Sequence, residues 1–243
     1  MSKLLIQSLK LFITLLIPLV IIIGIVRLLA TESYLTFEYN KTDFPEDPFG
    51  FEYTERLAHA AANLQFVTQN QPLADLSGQM QNGAPLYNSR EIKHMQDVQN
   101  IYQTAWQVWR FALILAVLSG LALAWRMESR SALASAIQSG GALTAGLVVL
   151  IGLTAIAAWK VWFVLFHQVF FAAGSWTFDF SDTLIRLFPE KFWYDAALTI
   201  SSLSLIAGSL LLWVGSRLGK VNNVTAERVE NEQKSEIYPG VEL

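Results

Sequence analysis

Four runs without a single charged side chain dominate this 243-residue chain: residues 11–26, 111–125, 131–159 and 196–216. A helix rises ~1.5 Å per residue, so about 20 apolar residues cross the hydrocarbon of a bilayer. The first run reaches that length by extending past Arg27 to about Ala30. The second does so by recruiting residues from Ala105, with Arg110 snorkelling outward. The expected architecture is therefore all-α, a polytopic membrane protein with four transmembrane helices, at about 11–30, 105–125, 141–160 and 196–216. With 53% hydrophobic and 15% charged residues, the whole chain agrees with that class.

The opening run is longer than the apolar region of a secretory signal, contains Pro18 and lacks an A-x-A exit, so it reads as an uncleaved anchor. Four spans put both termini on one side. Basic residues divide almost evenly between the two faces. The compact connection after Arg126 is basic, whereas residues 31–109 hold four basic and ten acidic side chains, which favours cytoplasmic termini. Residues 1–220 then form one transmembrane domain, with outside segments at about 31–104 and 161–195. Residues 221–243 form an acidic cytoplasmic tail, read as solvated or disordered.

The longer outside segment is patterned for order. Thr54 can cap a helix from Glu55 to about Val67, and Asn88 with Glu91 forms a possible capping box. No helix breaker follows from Ser89 to Leu118, so the second of these helices should run straight into the second span. The expectation is a helical extracytoplasmic cap between transmembrane helices 1 and 2. The second outside segment continues the third span through an aromatic-rich stretch ending near Phe171, of the kind found at membrane interfaces. Ser181 can cap a short turn there and Pro189 can open the fourth helix. The single G-x-x-x-G, Gly215 to Gly219, contains Arg217 at a span end, and ordinary bundle packing is the simpler use of the small residues.

A formal charge of −3 supplies no basic excess for nucleic acid, so none is expected as a partner. The absence of cysteine excludes thiol nucleophiles, thiolate zinc and iron–sulfur clusters. Three histidines remain. His59 reads as a surface residue. His94 and His167 fall on the same side of the membrane whichever side that is, ~16 Å and ~12 Å beyond the ends of their spans. There an imidazole with a pKa near ~6.5 can meet a lipid ester. Asp97 stands three residues after His94 and can share its helical face, either to orient the imidazole or merely to stabilise the helix surface. A zinc site built from His94, Asp97 and His167 is conceivable, but H-x-x-D is not a recognised ligand pair, and no metal or other cofactor is expected. No G-x-S-x-G elbow, phosphate loop or dinucleotide fingerprint occurs.

Two stretches carry a family resemblance. Tyr87-Asn88-Ser89-Arg90-Glu91-Ile92-Lys93-His94-Met95-Gln96-Asp97-Val98 resembles the histidine motif of a bacterial integral membrane family that includes the lipoprotein intramolecular transacylases, the Lit family. So does Phe166-His167-Gln168-Val169-Phe170-Phe171, followed by Trp176, by Asp182 to Glu190 and by Phe192-Trp193-Tyr194-Asp195. The likeness runs from about Lys3 to Lys220. It implies an enzyme of the bacterial plasma membrane, active at the extracytoplasmic face on diacylglyceryl-modified lipoproteins in membrane lipid. The acyl chain would move from the glyceryl sn-2 oxygen to the α-amine of the lipidated cysteine, giving a lyso-form lipoprotein. The motif histidines match His94 and His167, the expected catalytic pair. Tyr87, Asp97, Trp176, Asp182 and Arg186 are the expected supporting or substrate-binding residues. Aminolysis of an ester needs a base, an acid and an oxyanion donor, and two histidines supply the first two. The competing readings are another lipid acyltransferase, a metal-dependent membrane hydrolase, or a non-catalytic membrane sensor or assembly protein.

Overall fold

The structure, a computed structural model, describes residues 1–237. The elements run α1 (Lys3–Leu29), α2 (Glu32–Tyr39), α3 (Tyr53–Gln69), α4 (Leu73–Ser77), β1 (Met80–Gln81), β2 (Ala84–Pro85), α5 (Ser89–Ala124), α6 (Met127–Ala157), α7 (Trp159–Phe170), α8 (Thr183–Leu187) and α9 (Glu190–Ile237). Four helices among the described residues, α1, α5, α6 and the part of α9 up to Asn222, are long and apolar enough to cross a membrane.

Several expected boundaries move. The segment before Gly141, read as a connection, is helical from Met127, so only Trp125 and Arg126 separate α5 from α6. Ser129 closes that tight turn by donating its hydroxyl to the carbonyl of Leu123 at 2.8 Å. The third span does not run on through the aromatic stretch: the backbone leaves helical geometry at Ala158 (φ −146°) and restarts as the separate helix α7. The acidic tail is helical to Ile237, and its last residues, 238–243, lie outside the described residues.

The chain divides into two compact units. One comprises residues 1–21, 111–148 and those from 204 onward. Here glycine sets the spacing of α6 against α9. A Cβ on Gly141 would come within 2.5 Å of the Gly208 carbonyl oxygen, and one on Gly215 within 2.8 Å of the Ala134 carbonyl oxygen. Gly215 thus serves packing within the chain, as small residues in membrane helices commonly do.

The other unit comprises Ile22–Arg110 and Val149–Leu203 and holds a core of its own, including Leu35, Tyr39, Phe66, Leu76, Tyr87, Met95 and Leu187. Its α3 starts at Tyr53, one residue before the expected cap, and the N-cap Glu52 makes no side-chain hydrogen bond. The helix α2 and the β1–β2 hairpin were not anticipated. The hairpin turns on Asn82 (φ 51°) and Gly83 (φ 81°), the left-handed pair that a two-residue turn demands. His59 is half-buried against the Phe51 ring, at 5.6 Å between centroids, rather than on the surface.

The capping box is present in both directions. The Asn88 Oδ1 accepts from the N–H groups of Arg90 and Glu91, at 3.0 Å each, and Glu91 Oε2 accepts from the Asn88 N–H at 2.8 Å. From there α5 runs unbroken into its span, which fixes the register of His94 relative to the membrane helix.

Candidate active site

His94 lies on α5 and His167 on α7, and their rings stack with centroids 6.3 Å apart and planes 21° from parallel. The comparable heights expected for the two side chains become direct neighbourhood. The segment between α7 and α8 brings its aromatics onto the pair: Phe171 and Phe178 lie 4.7 and 5.3 Å from the His94 ring, and Trp176 lies 4.9 Å from His167. Phe163, one turn before His167 on α7, completes the enclosure at 4.1 Å.

That segment is held by its far end. Glu91, 1% exposed, uses its second oxygen to accept from the Leu184 N–H at 2.7 Å, and Thr183 donates its hydroxyl to the Leu86 carbonyl at 2.6 Å. Asp182 accepts from the Asn88 amide at 3.0 Å and pairs with Arg90. The first turn of α8 is thereby bound to the first turn of α5, and Trp176 and Phe178 hang between fixed ends. Burial pushes the Glu91 carboxyl above its ordinary range, opposed by the two N–H groups it accepts from.

The tautomer of His167 follows from its partner. Its Nδ1 stands 2.7 Å from the Phe163 carbonyl, which can only accept, so Nδ1 carries the hydrogen and Nε2 presents a lone pair. His94 is 8% exposed, and its Nδ1 has no hydrogen-bond partner among the described residues. The Trp176 Nε1 is likewise buried and unpartnered. Buried polar atoms are ordinarily satisfied, so two unsatisfied ones around one histidine pair mark a place where a substrate can supply the missing partners.

Burial pushes the His94 imidazole down to about 4, with the neighbouring His167 adding to the effect and Asp97 opposing it. Burial also lowers His167, against the opposing bond to Phe163. Both rings are therefore neutral at pH 7. An unfolded histidine titrates near ~6.5, so the unfolded chain takes up protons below that pH which the folded chain refuses until about pH 4. The stability associated with His94 is complete above pH 6.5 and falls as the pH drops through that window. Thermal unfolding of the detergent-solubilised protein at pH 7.5 and 5.0 checks this: wild type is expected to lose more melting temperature than His94→Gln, and equal losses would contradict it.

The expected supporting residues separate into different places. Trp176 is at the pair. Asp97 is bonded to Lys93, one turn back, and reaches His94 only through its charge. The Tyr87 hydroxyl accepts from the Asn63 amide inside the core. Asp182 anchors the start of α8. Arg186 forms a two-pronged pair with Asp47, at 3.0 and 2.9 Å, and lies over the Phe51 ring at 3.7 Å. Among the described residues no group of three His, Cys, Asp or Glu side chains is placed to hold a metal ion, so His94, Asp97 and His167 do not assemble as three ligands. Sequence reasoning passed over Phe171 and Phe178 as site residues and read Glu91 only as a helix cap.

A stacked histidine pair with one lone pair fixed and a free indole N–H beside it is equipment for acid–base chemistry on an acyl group. The family model described as lipoprotein intramolecular transacylase Lit matches residues 11–193. The chain belongs to the Lit family. It is thus a membrane-integral acyltransferase whose substrates are lipoproteins. A protein of Aquifex aeolicus (strain VF5) to which no function is assigned is 34% identical over 195 residues, covering 80% of this chain and 86% of that one. The fold is that of the lipoprotein intramolecular transacylase Lit from Bacillus cereus, solved in meso, with a TM-score of 0.69 at 20% identity over 92% of this chain and 100% of that one. A histidine-to-alanine variant of the same Bacillus cereus protein superposes with a TM-score of 0.64, at 20% identity over 90% of this chain and 96% of that one.

Proposed function

We propose that His94 and His167 are the acid–base pair of this Lit enzyme and that its substrate is a lipoprotein bearing a diacylglyceryl cysteine. The reaction moves one acyl chain from the glyceryl sn-2 oxygen to the cysteine α-amine and leaves a lyso-form lipoprotein. The observation that carries the assignment is the stacking of two half-sealed imidazoles beside the unpartnered Trp176 N–H.

Proton accounting explains why two bases are useful. An amine arriving as ammonium must lose two protons to become an amide. One ends on the departing sn-2 oxygen and the other leaves to water. The same burial that disfavours an imidazolium disfavours the ammonium, so the amine gives up its first proton readily inside the site. His94 receives that proton and releases it. The free amine attacks the ester carbonyl, and His167 Nε2 takes the proton from the attacking nitrogen. The resulting imidazolium is strongly acidic in this setting and passes the proton to the sn-2 oxygen as the C–O bond breaks. Trp176 Nε1–H donates to the tetrahedral oxyanion. Donor and acceptor belong to one substrate, so the enzyme need only fold the lipid back and keep water out.

Asp97 acts on His94 through its charge. Tyr87, Asp182 and Arg186 hold the walls that carry Trp176 and Phe178. The site belongs on the extracytoplasmic face of a bacterial plasma membrane, with both termini in the cytoplasm. The acidic composition of residues 31–109 and the basic turn after α5 support that orientation.

The reading is tested by mass spectrometry of a lipoprotein's N-terminal lipopeptide from cells with and without this chain, with fragmentation to locate the acyl group. An N-acyl, S-monoacylglyceryl cysteine is expected only with the chain present. A lipopeptide that stays free-amine and diacylated despite verified expression would overturn it. Trp176→Phe keeps a ring against His167 and removes the donor. It is expected to slow conversion about 100-fold with little change in melting temperature, measured as the time course of the same lipopeptide.

A further inference from the structure

Arg27 and Arg110 take no part in the histidine site, yet they are arranged together. The charge-free run of α1 ends at Arg27, and that of α5 begins just after Arg110. Both cations therefore stand at the same boundary of the apolar layer. The Arg27 guanidinium lies 5.3 Å from the centre of the Trp106 ring and the Arg110 guanidinium 5.8 Å from it. Arg27 also donates to the Tyr102 hydroxyl and lies 5.6 Å over that ring. Trp109 stacks on Trp106 at 4.5 Å. Gly24 admits this aromatic group to α1, since a Cβ there would stand 3.0 Å from the Trp109 ring nitrogen.

Two like charges gathered on one indole ordinarily come with a carboxylate between them. Among the described residues neither guanidinium is paired with one, whereas in the same unit Lys41 and Lys191 share Asp195, and Arg186 takes Asp47. Simple snorkelling accounts for a lone arginine at a span end. It does not account for two arginines converging on one ring with a tyrosine hydroxyl fixing the first. A guanidinium offers paired N–H donors suited to phosphate oxygens, and a flat aromatic floor keeps those donors aimed.

We propose that Arg27 and Arg110, gathered on Trp106 beside Tyr102, form a binding site for the phosphodiester of an anionic phospholipid headgroup, separate from the histidine site. The diacylglyceryl group of the substrate carries no phosphate, so the ligand is a lipid of the surrounding leaflet. Its acyl chains continue past Val26, which is exposed on α1 next to Arg27.

Native mass spectrometry of delipidated protein titrated with dioleoylphosphatidylglycerol tests this. Wild type is expected to retain one lipid, and Arg110→Gln to bind it about tenfold more weakly, the loss of roughly one charge-assisted hydrogen bond. Arg110 is exposed and makes no hydrogen bond among the described residues, so this variant keeps the fold, which thermal unfolding verifies. Arg27→Gln should weaken binding at least as much. Dioleoylglycerol, which lacks the phosphate, should fail to displace the bound lipid. Unchanged affinity in both variants, or displacement by dioleoylglycerol, would overturn the proposal. Displacement by millimolar inorganic phosphate would overturn the lipid assignment and leave a free-phosphate site.

Discussion

His94→Ala and His167→Ala are each expected to leave the lipopeptide free-amine and diacylated, with conversion reduced by at least about 100-fold, the size of one positioned acid–base group. Neither histidine supports a long-range network. Among the described residues the His94 Nδ1 has no partner, and His167 bonds to the Phe163 carbonyl of its own helix. The variants should therefore accumulate normally in membranes, and the loss belongs to chemistry. The two substitutions should also fail to add, because each removes a step that the other cannot replace. The measurement is the same fragmentation-resolved lipopeptide spectrum, read at several times after induction. Full conversion by either single variant would remove that histidine from the mechanism and return its ring to packing, against Phe171 and Phe178 for His94 or against Phe163, Phe171 and Trp176 for His167.

Asp47→Ala is the substitution expected to cost most in stability, about 3–5 kcal/mol, the usual penalty for breaking a buried ion pair from one side. The Asp47 side chain is wholly buried and that of Arg186 is 12% exposed. The same carboxylate accepts from the N–H groups of Phe51 and Phe49, at 2.7 and 3.2 Å. Burial works against its charge, yet Arg186 and these N–H groups outweigh burial and hold the carboxyl below its ordinary range. Removing it strands a guanidinium against Phe51 and frees the chain before α3. The check is thermal unfolding in detergent, with Asp47→Leu combined with Arg186→Met as the comparison. A well-packed apolar pair should recover much of the loss, whereas a lone Asp47→Ala that melts with wild type would show that the pair contributes nothing.

Arg186 illustrates how far residue types alone can be followed. An arginine beside a second histidine motif is a natural oxyanion donor on chemical grounds. Its partner Asp47 lies 139 residues earlier in the chain, a pairing no local pattern announces. Asp97 is the reverse case. Its i, i+3 spacing to His94 was visible, but Lys93 at i−4 offers a full charge at the same reach, and a charged partner outcompetes a neutral imidazole. The break at Ala158 was also hidden, since it sits in a stretch with no proline or glycine nearer than Gly152. The unanticipated hairpin at Asn82–Gly83 is legible in its dipeptide.

Sequence alone determined the four spans, because hydrocarbon admits only long charge-free helices with their backbone bonds satisfied internally. It also determined the capping box at Asn88 and Glu91 and the unbroken run of α5 below it, both of which depend on neighbours a few residues apart. The two histidines could be named from their stretches and put on one side of the membrane by counting. Their meeting was decided only in three dimensions. It rests on α7 restarting after Ala158, on Glu91 reaching Leu184 across 93 residues, and on the segment from Phe171 to Asp182 being tied down at Arg90 and Asn88. Contacts of that kind depend on the summed geometry of several elements, and one-dimensional spacing carries no record of it.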